Sequence, residues 1–280
     1  MADMSIAHYG TTLIEAMPPE DADQAAIPMS GDLARTDRFL TILGAQIYIR
    51  NMYPGVGRQF IYRRGDQASP DYFEKDTFTS YIAEPLPDTD NPRVADTIFR
   101  ITHEDPQGVA HQLMDEGLIK PLSGFDGFRS GKHDRLWFTG PDRQQYELTA
   151  SAPRPHENHR VYIWTDPADL DAHIAGYEQH FAVQKQGPEP FYDSGTAHLL
   201  VREDPGMTIA LVTPNTLALA PKHSFDIFRD AGYSHFRLAS PDKAAARAVS
   251  EEAFPDGGGP VAYVHFQNAY LELVQIGESS

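Results

Sequence analysis

Along the chain, short runs of alternating apolar residues give way to a stretch with helical spacing, then to more alternating runs, and the cycle recurs. The clearest copy opens at 97–104, TIFRITHE, whose β-branched and aromatic residues alternate as in a half-buried strand. In the next segment Asp105 can cap a helix and Pro106 suits its first turn. Val109, Ala110, Leu113 and Met114 form one apolar face, and Gly117 can stop it. LIKPLSGF, DRLWFTG and QQYELTA read as strands, with GPDR as the turn before the last. A second copy opens with RVYIWT, carries Leu170, Ile174, Tyr177 and Phe181 at helical spacing, and closes with PFYDSG, AHLLVRE and MTIALVT. A third opens at 234–240, SHFRLAS, has a helix in PDKAAARAVSEEAF and ends in a hairpin around Asn268. One of its strands is lost or hidden in the Gly-rich PDGGGP.

The N-terminal stretch fits the same plan. SIAHYGTTLIEA reads as a strand, DLARTDRFLTILG as a helix, and AQIYIRN, RQFIYRR and TFTSYIAE as strands. MPPEDADQAAIPMSG is an insert, and ASPDYFEKD and PLPDTDNPR are loop-like spacers. The chain therefore divides into four units, 1–95, 96–152, 158–215 and 231–280. One unit alone leaves an open sheet edge, and joining two makes a curved sheet around a hollow. The predicted fold class is α+β, with tandem βαβββ units pairing into two curved-sheet cups.

The 280 residues include 40 acidic against 23 basic side chains, a formal net charge of −17. That balance speaks against nucleic acid, whose phosphates need Lys and Arg, and against an anionic membrane surface. With no cysteine, a disulfide, a thiolate zinc site and a Cys nucleophile are all excluded, so any metal must use His, Asp or Glu. There is no basic-then-apolar leader and no apolar run of the ~18 residues that a spanning helix needs. The expectation is a cytoplasmic protein with a small-molecule substrate, monomeric or homodimeric, without nucleic-acid or membrane partners.

Three passages resemble the vicinal oxygen chelate superfamily, which includes glyoxalase I, bleomycin-resistance proteins and extradiol dioxygenases. Residues 234–242, SHFRLASPD, are similar to the family's opening strand, in which a ligand His precedes alternating apolar residues and a turn into the helix. Residues 140–148, GPDRQQYEL, resemble its closing Asp-Pro-Asp-Gly-Asn-x-x-Glu-Leu hairpin, and Tyr270-Leu271-Glu272-Leu273 resembles another closing strand. In that family the metal ligands are a His on the first strand and a Glu on the last strand of paired units.

Carried over by strand parity, with Phe236 and Leu238 on the helix-packing face, His235, Arg237 and Ala239 face the hollow. In the first unit the same parity selects His8, Gly10 and Thr12. The second and third units offer Ile98 and Val161 there, which cannot bind metal. The closing positions are Glu147, Ala210 and Glu272, with Glu84 the nearest candidate in the first unit. The resemblance thus implies a metal set of His8, His235 and Glu272, with Glu84 as a possible fourth ligand. It also favours pairing unit one with unit four and unit two with unit three, against the sequential pairing also found in the family.

Two imidazoles and one carboxylate make the facial triad suited to Fe(II) and O₂, so an Fe(II) dioxygenase acting on an aromatic or vicinally oxygenated substrate is the first expectation. A fourth ligand would instead suit a non-redox glyoxalase-type isomerase or lyase with Zn, Ni, Co or Mn. A metal-free binding or sequestration protein is the third. The family's extradiol members carry an Asp-Pro-x-Gly turn before the closing Glu, and none precedes Glu272. Among catalytic candidates, Arg237 could meet a substrate anion or form a salt bridge at the strand end. His265 could act as general acid–base and Tyr263 as a donor to an oxyanion, if their side of the hairpin is the hollow. His103, His111, His133, His156, His159, His173, His180 and His223 are expected at the surface, and His198 is ambiguous.

Overall fold

The computed structural model describes residues 8–15, 29, 31–66, 72–80, 97–123, 125–191, 195–203, 206–213, 235–250, 252–253 and 262–275. The first unit comprises β1 (His8–Ile14), α1 (Gly31–Ile42), β2 (Gln46–Tyr53), β3 (Gly57–Arg64) and β4 (Phe73–Ser80). The second has β5 (Thr97–His103), α2 (Pro106–Asp115), β6 (Lys120–Ser123), the short α3 (Phe125–Arg129), β7 (Arg135–Thr139) and β8 (Gln145–Ala150). After α4 (Pro155–Asn158), the third has β9 (Arg160–Trp164), α5 (Leu170–Phe181), β10 (Gln184–Phe191), β11 (Gly195–Arg202) and β12 (Met207–Thr213). The fourth has β13 (His235–Ser240), α6 (Lys243–Ala248), β14 (Glu252–Ala253), β15 (Ala262–Phe266) and β16 (Ala269–Gln275).

These strands form two eight-stranded sheets, β14-β15-β16-β13-β1-β4-β3-β2 and β10-β11-β12-β9-β5-β8-β7-β6. The strands of units one and four therefore share the first sheet, and those of units two and three share the second. In each sheet the two halves meet through antiparallel first strands, β1 on β13 and β5 on β9. Each first strand also runs parallel to the last strand of its own unit. The α+β class and the paired curved sheets are those predicted from the alternation.

Local chemistry accounts for most of the elements. Asp105 accepts a hydrogen bond from the Gly108 amide and Pro106 opens the first turn, so α2 begins where its cap lies. Asp242 caps α6 in the same way through the Ala245 amide. Gln267 and Asn268 both take positive φ, 46° and 66°, between the paired Phe266 and Ala269. That is the two-residue hairpin turn whose twist matches the flanking strands. At the turn before β8, Arg143 holds φ 62° at the place where the resembled motif has glycine.

Four details depart from the sequence reading. β10 begins at Gln184, well before PFYDSG, in a polar run containing Pro188 and Pro190. It lies at a sheet edge, where a missing amide costs no ladder bond. The shortened fourth unit keeps a two-residue strand, β14, ahead of the Gly-rich run. FEKD, taken as part of a spacer, is the start of β4. His156, His159 and His180 are buried, not at the surface.

The helices pack between the sheets. One cluster of buried residues draws on both sheets and on α1, α2, α5 and α6. Phe39 of α1 meets Phe138 and Tyr146 of the second unit, with ring centroids 6.1 and 5.4 Å away. Tyr177 and Phe181 of α5 both sit 5.1 Å from Phe266 of the fourth. Helices of one sheet's units thus cover strands of the other sheet.

A buried ionic knot joins the same surfaces. Lys75 of β4 donates to Asp142 and, at 2.5 Å, to the Tyr146 hydroxyl, which itself donates to Asp142 Oδ2 at 2.6 Å. The Lys75 side chain is 1% exposed and that of Asp142 0%. Removing one partner of such a pair strands the other charge, at a cost of about 3–5 kcal/mol. Lys75→Met should lower the unfolding free energy by that order in chemical denaturation, and Lys75→Met/Asp142→Asn should recover much of it. Equal stability of wild type and Lys75→Met would contradict the knot.

Candidate functional site

Strand register sets the concave face of the first sheet. β13 runs parallel to β16 with Arg237 opposite Glu272, and His235 lies two residues before Arg237 on the same face. His235 and Glu272 are each 2% exposed. Arg237 donates to Glu272 Oε1 from Nε at 3.2 Å and from Nη2 at 2.9 Å, so of the two readings the salt bridge is the one formed. On the neighbouring β15, Tyr263 pairs with Glu272 and His265 with Tyr270. The His265 ring centroid lies 4.6 Å from that of Tyr270. The backbone register therefore puts Tyr263 and His265 on the face of Glu272.

The other half of the sheet contributes a carboxyl that sequence reasoning missed. Asp76 of β4 is buried and accepts a 2.7 Å hydrogen bond at Oδ2 from Gln59 Nε2. Gln59 Oε1 in turn accepts from Asn51 Nδ2 at 2.7 Å and from the Tyr53 hydroxyl at 3.1 Å. Those two donors fix the orientation of the amide, so its NH₂ must point at Asp76. Asp76 Oδ1 is buried with no hydrogen-bond partner among the described residues. Tyr53 and Phe78, 5.7 Å apart, form an aromatic pair on this wing. The alternation F-E-K-D-T-F was the available signal, but three charged residues in a row read as a loop.

β1 lies between the halves. Tyr9 pairs with His235 on one side and with Asp76 on the other, whereas His8 pairs with Phe236 and Lys75. Phe236 and Lys75 belong to the buried helix-facing side. The β1–β4 ladder is irregular between Tyr9 and Thr11, and one extra residue inverts the alternation beyond it. For His8 the description stops at this backbone register, and Glu84 lies outside the described residues.

Burial and charge act oppositely on the two titratable groups flanking β1. Burial, then Arg237 and Lys75, push His235 down to about 3, so its imidazole is neutral near pH 7. Burial pushes Asp76 up to about 7, with Glu272 and Glu74 adding to the rise while Gln59 and Arg237 oppose it. A neutral imidazole is the form that binds a metal. One imidazole and two carboxylates suit a divalent cation by donor type. The described residues do not, however, hold three such groups in a ready-made cluster.

The second sheet carries the same cross-strand pair in a closed form. Arg100 lies opposite Glu147 on β5 and β8, as Arg237 does opposite Glu272. Arg100 donates to both Glu147 oxygens, at 2.6 and 3.0 Å, and the Tyr162 hydroxyl adds a third bond at 2.6 Å. Ile98 stands where the first sheet has His235. Trp137, Tyr162 and Phe191 fill the hollow with mutual ring distances of 5.0–5.2 Å. Glu147, held in this way, stays well ionised below the usual carboxylate range, burial being outweighed by Arg100.

Glyoxalase I from Zea mays has the same architecture, with a TM-score of 0.57 at 14% identity, covering 98% of this chain and 92% of that one. This is the vicinal oxygen chelate fold. The V278E mutant of the maize enzyme superposes equally well, with TM-score 0.57, 16% identity and coverage of 98% and 92%. FosX, the fosfomycin resistance protein from Mesorhizobium loti, matches over 43% of this chain and 84% of its own at 17% identity, with a TM-score of 0.28. No protein-family model matches the chain, and no curated protein does. No helix among the described residues is long and apolar enough to cross a membrane. Within this fold, the second cup is locked by its own side chains, whereas the first carries His235, Glu272 and Asp76 on the corresponding face.

The two displaced groups have a joint signature in stability. His235 binds a proton in the unfolded chain but not in the folded one between about pH 6.5 and 3, so its contribution is lost as pH falls through that window. Asp76 behaves inversely, binding a proton only in the folded chain between about 3.8 and 7, so its contribution is lost as pH rises. In metal-free protein the two slopes oppose each other between pH 4 and 6.5, at about 1.4 kcal/mol per pH unit each. Relative to wild type, Asp76→Asn should make stability fall more steeply with acid. His235→Gln should make it rise relative to wild type. Denaturation midpoints at pH 4.5, 5.5 and 6.5 check both signs.

Proposed function

We propose that the first cup binds one divalent metal and that the protein is a non-redox enzyme of glyoxalase type, an isomerase or lyase acting on a small, vicinally oxygenated molecule. The observation that carries this reading is the placement of His235, Glu272 and Asp76 on one buried face of the sheet, on strands β13, β16 and β4, with no hydrogen-bond partner for Asp76 Oδ1 among the described residues. His235, Glu272 and Asp76 would hold the ion. One imidazole with two carboxylates is a harder donor set than the two-imidazole triad of Fe(II) oxygenases, and suits Mn, Zn, Co or Ni. When bound, such an ion supplies Lewis-acid polarisation of a substrate oxygen.

The chain's own residues divide the remaining work. Arg237 neutralises one Glu272 oxygen and keeps the carboxylate ionised in a buried setting. Gln59 holds Asp76 Oδ2 in place, which limits the motion of Oδ1. His265 and Tyr263, one strand over from Glu272, are the candidates for proton transfer and for a hydrogen bond to a developing oxyanion. Burial of the face excludes bulk water and strengthens each of these interactions. The Fe(II) dioxygenase reading needs a second imidazole, and His8 is its candidate.

Metal titration of chelator-treated protein tests the reading. Mn(II), Zn(II), Co(II) or Ni(II) should raise the melting temperature of wild type, because a ligand selective for the folded state stabilises it. The rise should vanish in His235→Ala and Glu272→Gln, weaken at least tenfold in apparent affinity in Asp76→Asn, and persist in His8→Ala. Absence of any rise in wild type overturns the metal site and leaves a metal-free binding protein. Loss of the rise in His8→Ala, with oxygen consumed during substrate turnover with Fe(II), would instead favour the two-imidazole oxygenase.

A further inference from the structure

We infer that the second cup is an anion site, seating a small organic monocarboxylate between Arg135 and Arg160 at the mouth of the locked hollow. The inference is independent of the metal reading, since no residue of the first cup enters it. Three guanidinium groups converge on the concave face of the second sheet, Arg100, Arg135 and Arg160, against two carboxylates, Glu147 and Glu189. Arg100 and Glu147 satisfy one another with Tyr162. Arg160 Nη1 pairs with Glu189 Oε1, and Arg135 Nη1 stands 4.0 Å from the same oxygen. Among the described residues one positive charge is left over, in a chain whose formal net charge is −17.

The second observation concerns an atom. The Arg160 side chain is 6% exposed, and its Nε is buried with no hydrogen-bond partner among the described residues. A charged donor shut away from water without an acceptor is costly, and a carboxylate matches the guanidinium fork. Arg135 and Glu189 are 35% and 26% exposed at their side chains, which locates the entrance. The charge balance selects the ligand class. A dianion such as sulfate or phosphate would meet the Glu147 and Glu189 carboxylates with only one surplus cation to offset it. A monoanion leaves the mouth neutral. The planar guanidinium fork selects a carboxylate over a spherical anion such as chloride.

Melting curves and calorimetry on metal-free protein, at constant ionic strength and pH 7, decide it. Formate, acetate, propionate and benzoate are compared with chloride, sulfate and phosphate. A saturable rise in melting temperature with monocarboxylates alone is expected. Arg160→Lys keeps the charge but removes the fork, and should weaken binding at least tenfold. Arg135→Gln, at a partly exposed position that tolerates change, should do the same, whereas Glu272→Gln in the first cup should leave binding intact. No saturable rise, an equal rise with sulfate or phosphate, undiminished binding in both arginine variants, or loss of binding in Glu272→Gln would each overturn the assignment.

Discussion

The architecture depends on a lysine that has no access to water. Lys75 sits on the helix-facing side of β4, closed in by Asp142 and Tyr146 from the other sheet. A buried charge tolerates only a narrow range of geometries, so the pair fixes β4 against the hairpin of the second unit more narrowly than apolar contact would. The next residue in the strand is Asp76, which by alternation faces the opposite way, into the first cup. One ladder position thus anchors the two sheets to each other, and its neighbour arms the candidate site. The Lys75 charge also reaches His235 and contributes to keeping that imidazole neutral.

The two cups use one scaffold for different ends. In both, an Arg on the first strand faces a Glu on the last strand of the same unit, Arg100 with Glu147 and Arg237 with Glu272. What differs is the company. Around Glu147 a second guanidinium donor and the Tyr162 phenol complete its shell, and three aromatic rings fill the hollow. Around Glu272, Arg237 holds one oxygen, and the position of Ile98 is taken by His235. A carboxylate held by three hydrogen bonds across both oxygens is a structural brace. Glu272, with Arg237 on Oε1 and a neutral imidazole two residues from that arginine on the same strand, is the carboxylate proposed as a ligand instead.

How much of this was legible in the sequence depends on whether local alternation survived into the ladder. Along 97–104 and 234–240 the period of two runs unbroken, so the helix-facing residues Phe99, Ile101, Phe236 and Leu238 could be read directly and the face of His235 followed. At β1 the irregularity after Tyr9 inverts the parity, and no residue type there announces it except Gly10. At β4 the signal was present but masked, because Glu74, Lys75 and Asp76 look solvated until their partners Arg63, Asp142 and Gln59 are known. Those partners lie 11, 67 and 17 residues away, beyond any local window. The buried His156, His159 and His180 escaped for the same reason: isolated histidines carry no periodic mark of what packs over them.

The donor set also bears on what chemistry the fold can support. Alternation alone would give two imidazoles and a carboxylate, a set that leaves a redox metal open to oxygen. In the proposed site Asp76, opposite Tyr9 in the ladder, supplies an oxygen donor where alternation alone would supply the His8 nitrogen. Oxygen-richer donor sets favour harder ions, which act through charge by polarising a substrate oxygen. Arg237, resting on Glu272, would lower the negative charge that the proposed site offers an ion. In the proposed site, the single-residue irregularity of one ladder thus favours Lewis-acid over oxygen chemistry.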